Sequence, residues 1–367
     1  MMKRCIPLLL VTVSGYLSAQ VPQSITPRIS TQPLFQIPAI TPSGELMFER
    51  AGGATLLPNG GLVLADAGSN QLVRFDSRGG RIAASGGSGD GPGEFSMLWS
   101  AIACRGLLFG VELAGTALEE FSLDGRHRRS VTLATGLLAE QWPVCAEGLL
   151  AGMSEPRPAG GGAADSPVRV MSARITVFDS AGKIARQSPS TPAGEYLVQG
   201  GGGMPRPLAP QLVFAALPGG EIVFGTGADS TVNVLRGDGT VRTFALPLRR
   251  RRPTSADRAA ATDAILAMVP AVVHDRVRQV LEAAPVAGVM PFYRGLHAQP
   301  DGTLWFNTSA PGDARMEWTV VRNARIIGTV PLPVRGKVLA LSADRIVILS
   351  ENDDGEQTVR VYAVSAR

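Results

Sequence analysis

The chain has 367 residues, 35 basic and 31 acidic, for a formal charge of +4. That surplus is too small to neutralise many phosphates, which argues against a nucleic-acid footprint. Charged residues make up only 18%, while glycine (43) and proline (27) are abundant, a composition that fits an all-β domain with many turns.

Residues 1–19 carry Lys3 and Arg4, an apolar core over residues 6–13, and Gly15-Tyr16-Leu17-Ser18-Ala19. This is the layout of an export signal cut after Ala19. The apolar run is too short to span a bilayer, so no membrane-spanning segment is expected. Cys5 sits too early to be a lipoprotein attachment cysteine. Removing Lys3 and Arg4 with this segment leaves +2. The expected product is a monomeric periplasmic or secreted protein, with an extended lead over residues 20–32 and one domain over residues 33–367. Residues 33–40 (PLFQIPAI) read as a strand without a partner nearby.

Residues 52–95 are the most regular stretch. Ala54 to Leu57 is apolar, and Pro58-Asn59-Gly60-Gly61 supplies a tight turn. A second apolar run, Leu62 to Ala65, leads to the turn cluster Asp66-Ala67-Gly68-Ser69-Asn70. Gln71-Leu72-Val73-Arg74-Phe75 alternates as a half-buried strand does. After Asp76-Ser77-Arg78-Gly79-Gly80 comes a fourth strand, Arg81 to Ala84, and then GGSGDGPGEF. Four strands joined by three turns in this order read as one propeller blade.

The pattern LPNGGLVLADAGSNQLVRFDSRGGRI followed by GDGPGEF resembles an NHL-type repeat, and the chain resembles the bacterial exported six-bladed β-propellers that carry such repeats. The close match covers about one blade; the rest agrees in layout. The resemblance implies a fold and no activity, because NHL-type propellers include protein-binding, RNA-binding and lyase members.

Weaker copies follow. Blade two starts near Trp99 and blade three at Trp142, the latter interrupted by the low-complexity stretch 156–167 and followed by a glycine-rich stretch, 188–210, expected to be a surface flap. Blades four and five are built around Pro218-Gly219-Gly220 and Pro300-Asp301-Gly302. Blade six, from Lys337 onward, shows only three strands. A propeller removes its open edges by joining its first and last blades, so residues 33–40 are expected to complete blade six by pairing with residues 358–364.

A helical insertion over residues 253–284 separates blades four and five. Thr254 or Ser255 can cap it, with Asp257 in the first turn. Ile265, Val269, Val272, Val273, Val277 and Leu281 recur at helical spacing and should face the protein, with Pro270 breaking the middle. Arg249–Arg252 reads as a solvated strand end.

No catalytic constellation emerges. His127, His274 and His297 share no metal-ligand spacing, and no G-x-S-x-G elbow is present. Asp66, Asn70, Asp76 and the aspartates at 124, 179, 238 and 301 recur at matching blade positions and should tie turn amides. Glu94 is expected to fix its own loop.

Propellers bind ligands at the channel mouth. Aligning the blades on the turn after the innermost strand brings Arg50, Trp99, Trp142, Phe214, Tyr293, Arg294 and Lys337 near that entrance. Aromatics and cations on one rim suit a carbohydrate, a peptide or an anionic ligand, or a protein partner. Ordinary blade-to-blade packing is the favoured account of Trp99, Trp142 and Phe214; Arg294 and His297 are harder to explain that way. The reading is therefore a binding or scaffold propeller of the cell envelope, without catalysis or cofactor. The alternative resembles propeller lactonases or lyases, which set polar residues and often Ca²⁺ around the channel; against it, the innermost strands are almost wholly apolar. Finally, Cys104 and Cys145 both end an innermost strand in neighbouring blades. An oxidising compartment permits a bridge between them, and two buried free thiols are the alternative.

Overall fold

The structure, a computed structural model, describes residues 26–113, 115–138, 141–158, 168–199, 202–267, 269–285 and 287–366. The export signal expected at residues 1–19 lies outside the described residues, as does 159–167 of the low-complexity stretch.

Six antiparallel sheets follow one another along the chain. Their innermost strands touch in sequence, blade one to two and onward, and blade six returns to blade one. The result is a six-bladed β-propeller. Blade one is Ala51–Leu56, Leu62–Asp66, Gln71–Phe75 and Arg81–Gly86. Its second strand is buried throughout, because a blade covers it on each face, and its outermost strand is largely open to solvent. Each interface between blades is filled by an apolar cluster. Phe48, Leu62 and Phe75 meet Val347 and Val361 between blades one and six; Val63 and Leu72 meet Leu108 and Phe121 between one and two.

The N-terminal segment closes the ring. Phe35–Pro38 pairs antiparallel with Gln357–Ala366, setting Phe35 opposite Val361 and Pro38 opposite Thr358. Proline is tolerated there because the strand is outermost. Phe35 and Ile37 are buried between blades six and one. Within the lead, which the sequence reads as extended, Pro27–Ile29 forms a further strand, with Pro27 opposite Ala366 and Ile29 opposite Val364.

Blade three departs most from expectation. Its second and third strands, Leu149–Pro158 and Val168–Phe178, are long. The C-terminal half of the third strand pairs with the usual fourth strand, Ile184–Gln187. Its N-terminal half would be an open edge, and the supposed flap covers it: Thr191–Gln199 pairs there, and Gly202–Pro205 pairs with Thr191–Gln199 in turn. Ser188 turns the chain between the two, accepting from the Ile175 amide at 2.9 Å and donating to the Pro189 carbonyl at 2.8 Å.

The insertion is a helical hairpin, α1 (Ser255–Leu266) and α2 (His274–Ala283). Thr254 caps α1, its hydroxyl accepting from the Asp257 amide while the Asp257 carboxylate accepts from the Thr254 amide at 2.7 Å. Ile265, Leu266, Val277 and Leu281 pack on Leu197 of the blade-three extension. Val272 is an exception to the expected apolar face: it is 91% exposed at the hairpin tip, where Pro270 has ended the helical register. The arginine run is not simply solvated either. Arg251 makes a two-pronged bond to Asp257 (2.7 and 2.9 Å) and reaches Asp313 at 2.9 Å, and Arg250 lies 4.5 Å over the Phe292 ring.

The turn carboxylates are structural but not equivalent. Asp76, Asp179 and Asp238 accept amides in the turn between third and fourth strands. Asp301 does so between first and second strands. Asp66 instead holds the Glu49 and Arg50 amides of the loop entering blade one, and Asn70 accepts from the Leu98 amide of blade two. Glu94 accepts from the Gly91 amide at 2.9 Å and fixes its loop.

Candidate binding channel

The innermost strands leave a channel along the ring axis. A cavity of about 610 Å³ lies where these strands turn, among Pro58, Arg105 and Asp344. A larger one of about 930 Å³ fills the end where the strands begin. Ala264 of α1 lines this second cavity, so the hairpin resting on blade three overhangs that mouth.

The wall of the larger cavity is mostly apolar main chain and small side chains, as the strand sequences require. Trp142, Arg294, Arg335 and Lys337 interrupt it, with the amides of Gln141, Gln299 and Asn307 and with His297 between the last two blades; Trp318 meets it only from the core between blades five and six, where it is 4% exposed. No carboxylate lines it among the described residues. Lys337 is the first residue of its innermost strand, Lys337–Leu341. It reaches across the lumen, placing its ammonium 3.7 Å from the centre of the Trp142 ring and 5.9 Å from that of Trp99. It makes no ion pair among the described residues. The side chain is open to the channel but enclosed by protein, and this desolvation lowers its pKa to about 8.

Arg294 also opens onto the channel, and burial lowers its pKa against the opposing pull of Asp257 and Asp313. Those two carboxylates are already engaged by Arg251, which leaves Arg294 without an ion-pair partner among the described residues. Arg335, at the same mouth, is committed to backbone, donating to the Pro311 carbonyl and, at 2.6 Å, to that of Asp313. The His297 ring stands 5.3 Å from Trp318. Burial pushes its pKa down to about 4, with a backbone hydrogen bond at Val338 opposing and the Lys337 charge adding to the shift.

Of the residues expected at the entrance, Trp142, Arg294, His297 and Lys337 come together here, and Phe214 contributes to the wall from the buried core of blades three and four. Trp99 stands behind them, near the Lys337 ammonium. Tyr293 does not take part: it is 1% exposed, packs between blades four and five, and donates its hydroxyl to the Thr231 carbonyl at 2.8 Å. Desolvation raises its pKa. Arg50 points elsewhere, near the Ala67 carbonyl at 3.5 Å. Sequence reasoning missed Trp318 and Ala264. Trp318, near the start of a third strand, packs against blade six and meets the cavity only from that core, and the helix face of Ala264 carries no periodic signal.

Cys104 and Cys145 are joined in a disulfide, with their Cα atoms 5.4 Å apart. Both line the smaller cavity, and Cys145 lines the larger one as well. Among the described residues, no group of three or more His, Cys, Asp or Glu is placed to hold a metal ion, and no helix is long and apolar enough to cross a membrane.

No family model matches the sequence, and no curated protein is similar to it in sequence. Solved structures do match the fold. A Bacteroides fragilis protein described as exported is 12% identical, with a TM-score of 0.51 over 94% of this chain and 96% of that one. A member of the DUF4221 family from Bacteroides vulgatus is 9% identical, with a TM-score of 0.54 over 94% of this chain and 100% of that one. Virginiamycin B lyase from Staphylococcus aureus overlaps more loosely, at 12% identity and a TM-score of 0.42. Identities this low carry over the fold and nothing of the chemistry.

Proposed function

We propose that the protein is an exported binding propeller that takes its ligand in the larger channel cavity, under the overhang of α1. The observation that carries this reading is the composition of that wall: an aromatic and cationic cluster, accessible and not consumed by ion pairing, in an otherwise apolar cavity of about 930 Å³. Concave, mostly apolar cavities with a few convergent polar groups are the usual form of a small-molecule site. Export is supported by the N-terminal pattern of residues 1–19 and by the Cys104–Cys145 bridge, which persists only outside a reducing compartment. The first blade is read as NHL-type on its LPNGGLVLADAGSNQLVRFD pattern.

A Ca²⁺-dependent hydrolase or lyase fits less well. Ca²⁺ takes oxygen ligands and favours carboxylates, whereas this wall brings cations and amides. The test is native mass spectrometry of protein incubated with a small-molecule extract of its source cells and then desalted. A retained mass that disappears in Trp142→Ala and Lys337→Met supports the reading. Retention by the variants equal to wild type places binding elsewhere and overturns it.

A further inference from the structure

Within the reading of this channel as a binding site, the geometry points to the class of ligand: we propose a small organic anion whose carboxylate or phosphate is held by Arg294 and Lys337, with its apolar or planar body against Trp142. Charge at this mouth is unbalanced. Among the described residues, the carboxylates that act on Arg294 at this mouth are Asp257 and Asp313, and both are bound to Arg251. Asp257 is further saturated by the Thr254 and Gly312 amides, at 2.7 and 3.1 Å, and Asp313 by the Ala310 amide at 2.7 Å. Neither has capacity to swing toward Arg294. Among the described residues, the cation of Lys337 is met by ring faces, which attract it without neutralising it. A channel mouth lined this way attracts negative charge and repels positive charge. Guanidinium offers a planar fork to a carboxylate or phosphate, and ammonium adds a point charge. A neutral sugar would engage Trp142 but leave both cations unused; a cationic ligand would oppose them.

The experiment uses the protein beginning after the export signal and four probes: benzoate, phenyl phosphate, neutral benzamide and a neutral cello-oligosaccharide, each titrated by tryptophan fluorescence and calorimetry. Benzoate or phenyl phosphate should bind saturably, at least about tenfold more tightly than benzamide, as one lost charge-assisted hydrogen bond implies. Arg294→Gln and Lys337→Met should each weaken the anion by about tenfold or more and reduce its salt dependence, with unchanged far-ultraviolet circular dichroism. The stronger of the two anions identifies carboxylate or phosphate as the recognised group. Binding of benzamide or the oligosaccharide as tight as the anions, and insensitive to both substitutions, overturns the ligand class and leaves the channel as a site. No saturable binding by any probe overturns both.

Discussion

The Lys337 ammonium stands 3.7 Å from the centre of the Trp142 ring, so the first residue of blade six touches the entry of blade three across the lumen. The pair has a consequence for pH. The lysine's pKa falls from 10.5 to about 8 in the folded protein, because the enclosing wall desolvates its charged form. Between those values the unfolded chain binds more protons, so stability rises with pH across that window. Urea unfolding of wild type from about pH 8 to about pH 10.5 should show this rise, and Lys337→Met should flatten it. Parallel pH profiles for the two proteins would show that Lys337 is ordinarily solvated.

His297 acts at the other end of the scale. Its pKa is lowered from 6.5 to about 4, chiefly by burial. The folded state holds the neutral ring while the unfolded chain takes up a proton, so stability falls as pH drops from about 6.5 to about 4. His297→Asn should remove that slope. Asp257 is distinct, because its pKa is lowered below the usual 3.8 by Arg251, and its loss is confined to more acidic solution. A ring proton resonance assigned to His297 by its loss in His297→Asn, and titrating near 6.5 in the native protein, would contradict the first part.

How much of this was legible in the sequence depends on what each residue signals locally. Turn chemistry such as Pro58-Asn59-Gly60-Gly61 and strand alternation such as Gln71–Phe75 are local, and they located six blades. The closing strand was legible because three strands at one end and a spare at the other are complementary defects. Pro27–Ile29 was not, since three residues carry no periodicity and depend on the length of Gln357–Ala366. Thr191–Gln199 was hidden by glycine and proline, whose weak strand preference was overridden by the open edge it covers. Among site residues, Tyr293 and Arg294 are adjacent in sequence yet face a core and a channel. Only the tertiary path of the loop decides which is which.

Ring closure predicts the effect of truncation. Removing residues 20–40 strips the partners of Val359 and Val361 and opens the outer edge of blade six. An unpaired edge over a buried apolar cluster is a template for association. The truncated protein should aggregate, or unfold at lower denaturant than the full mature chain; sedimentation showing a stable monomer of unchanged denaturation midpoint would refute the closure role.

The overhang of α1 rests on Asp257, whose side chain is 1% exposed while its partner Arg251 is 40% exposed. Asp257→Asn removes half of a pair and weakens the helix cap, and with one partner solvated the cost should be about 2–3 kcal/mol. The effect should be local. Hydrogen exchange should accelerate over residues 254–283 and leave blade one unchanged. Uniform acceleration through all blades would mean that the hairpin is part of the global folding unit and does not open separately.

Cys104 and Cys145 end innermost strands of neighbouring blades, and Cα atoms 5.4 Å apart suit a bridge. The bond joins residues 41 apart in sequence, and on the chain-entropy model a loop of that size stabilises by about 3–4 kcal/mol. It also ties blade two to blade three beside Trp142, whose position sets that of the Lys337 ammonium. The Cys104→Ala, Cys145→Ala double variant should therefore lose stability by about that amount and show weaker tryptophan perturbation on titration of Lys337. Thiol titration of unfolded, unreduced protein beginning after Ala19 provides the direct measurement: no free thiol in the monomer is expected, and two free thiols would mean that these cysteines pack as small apolar residues instead.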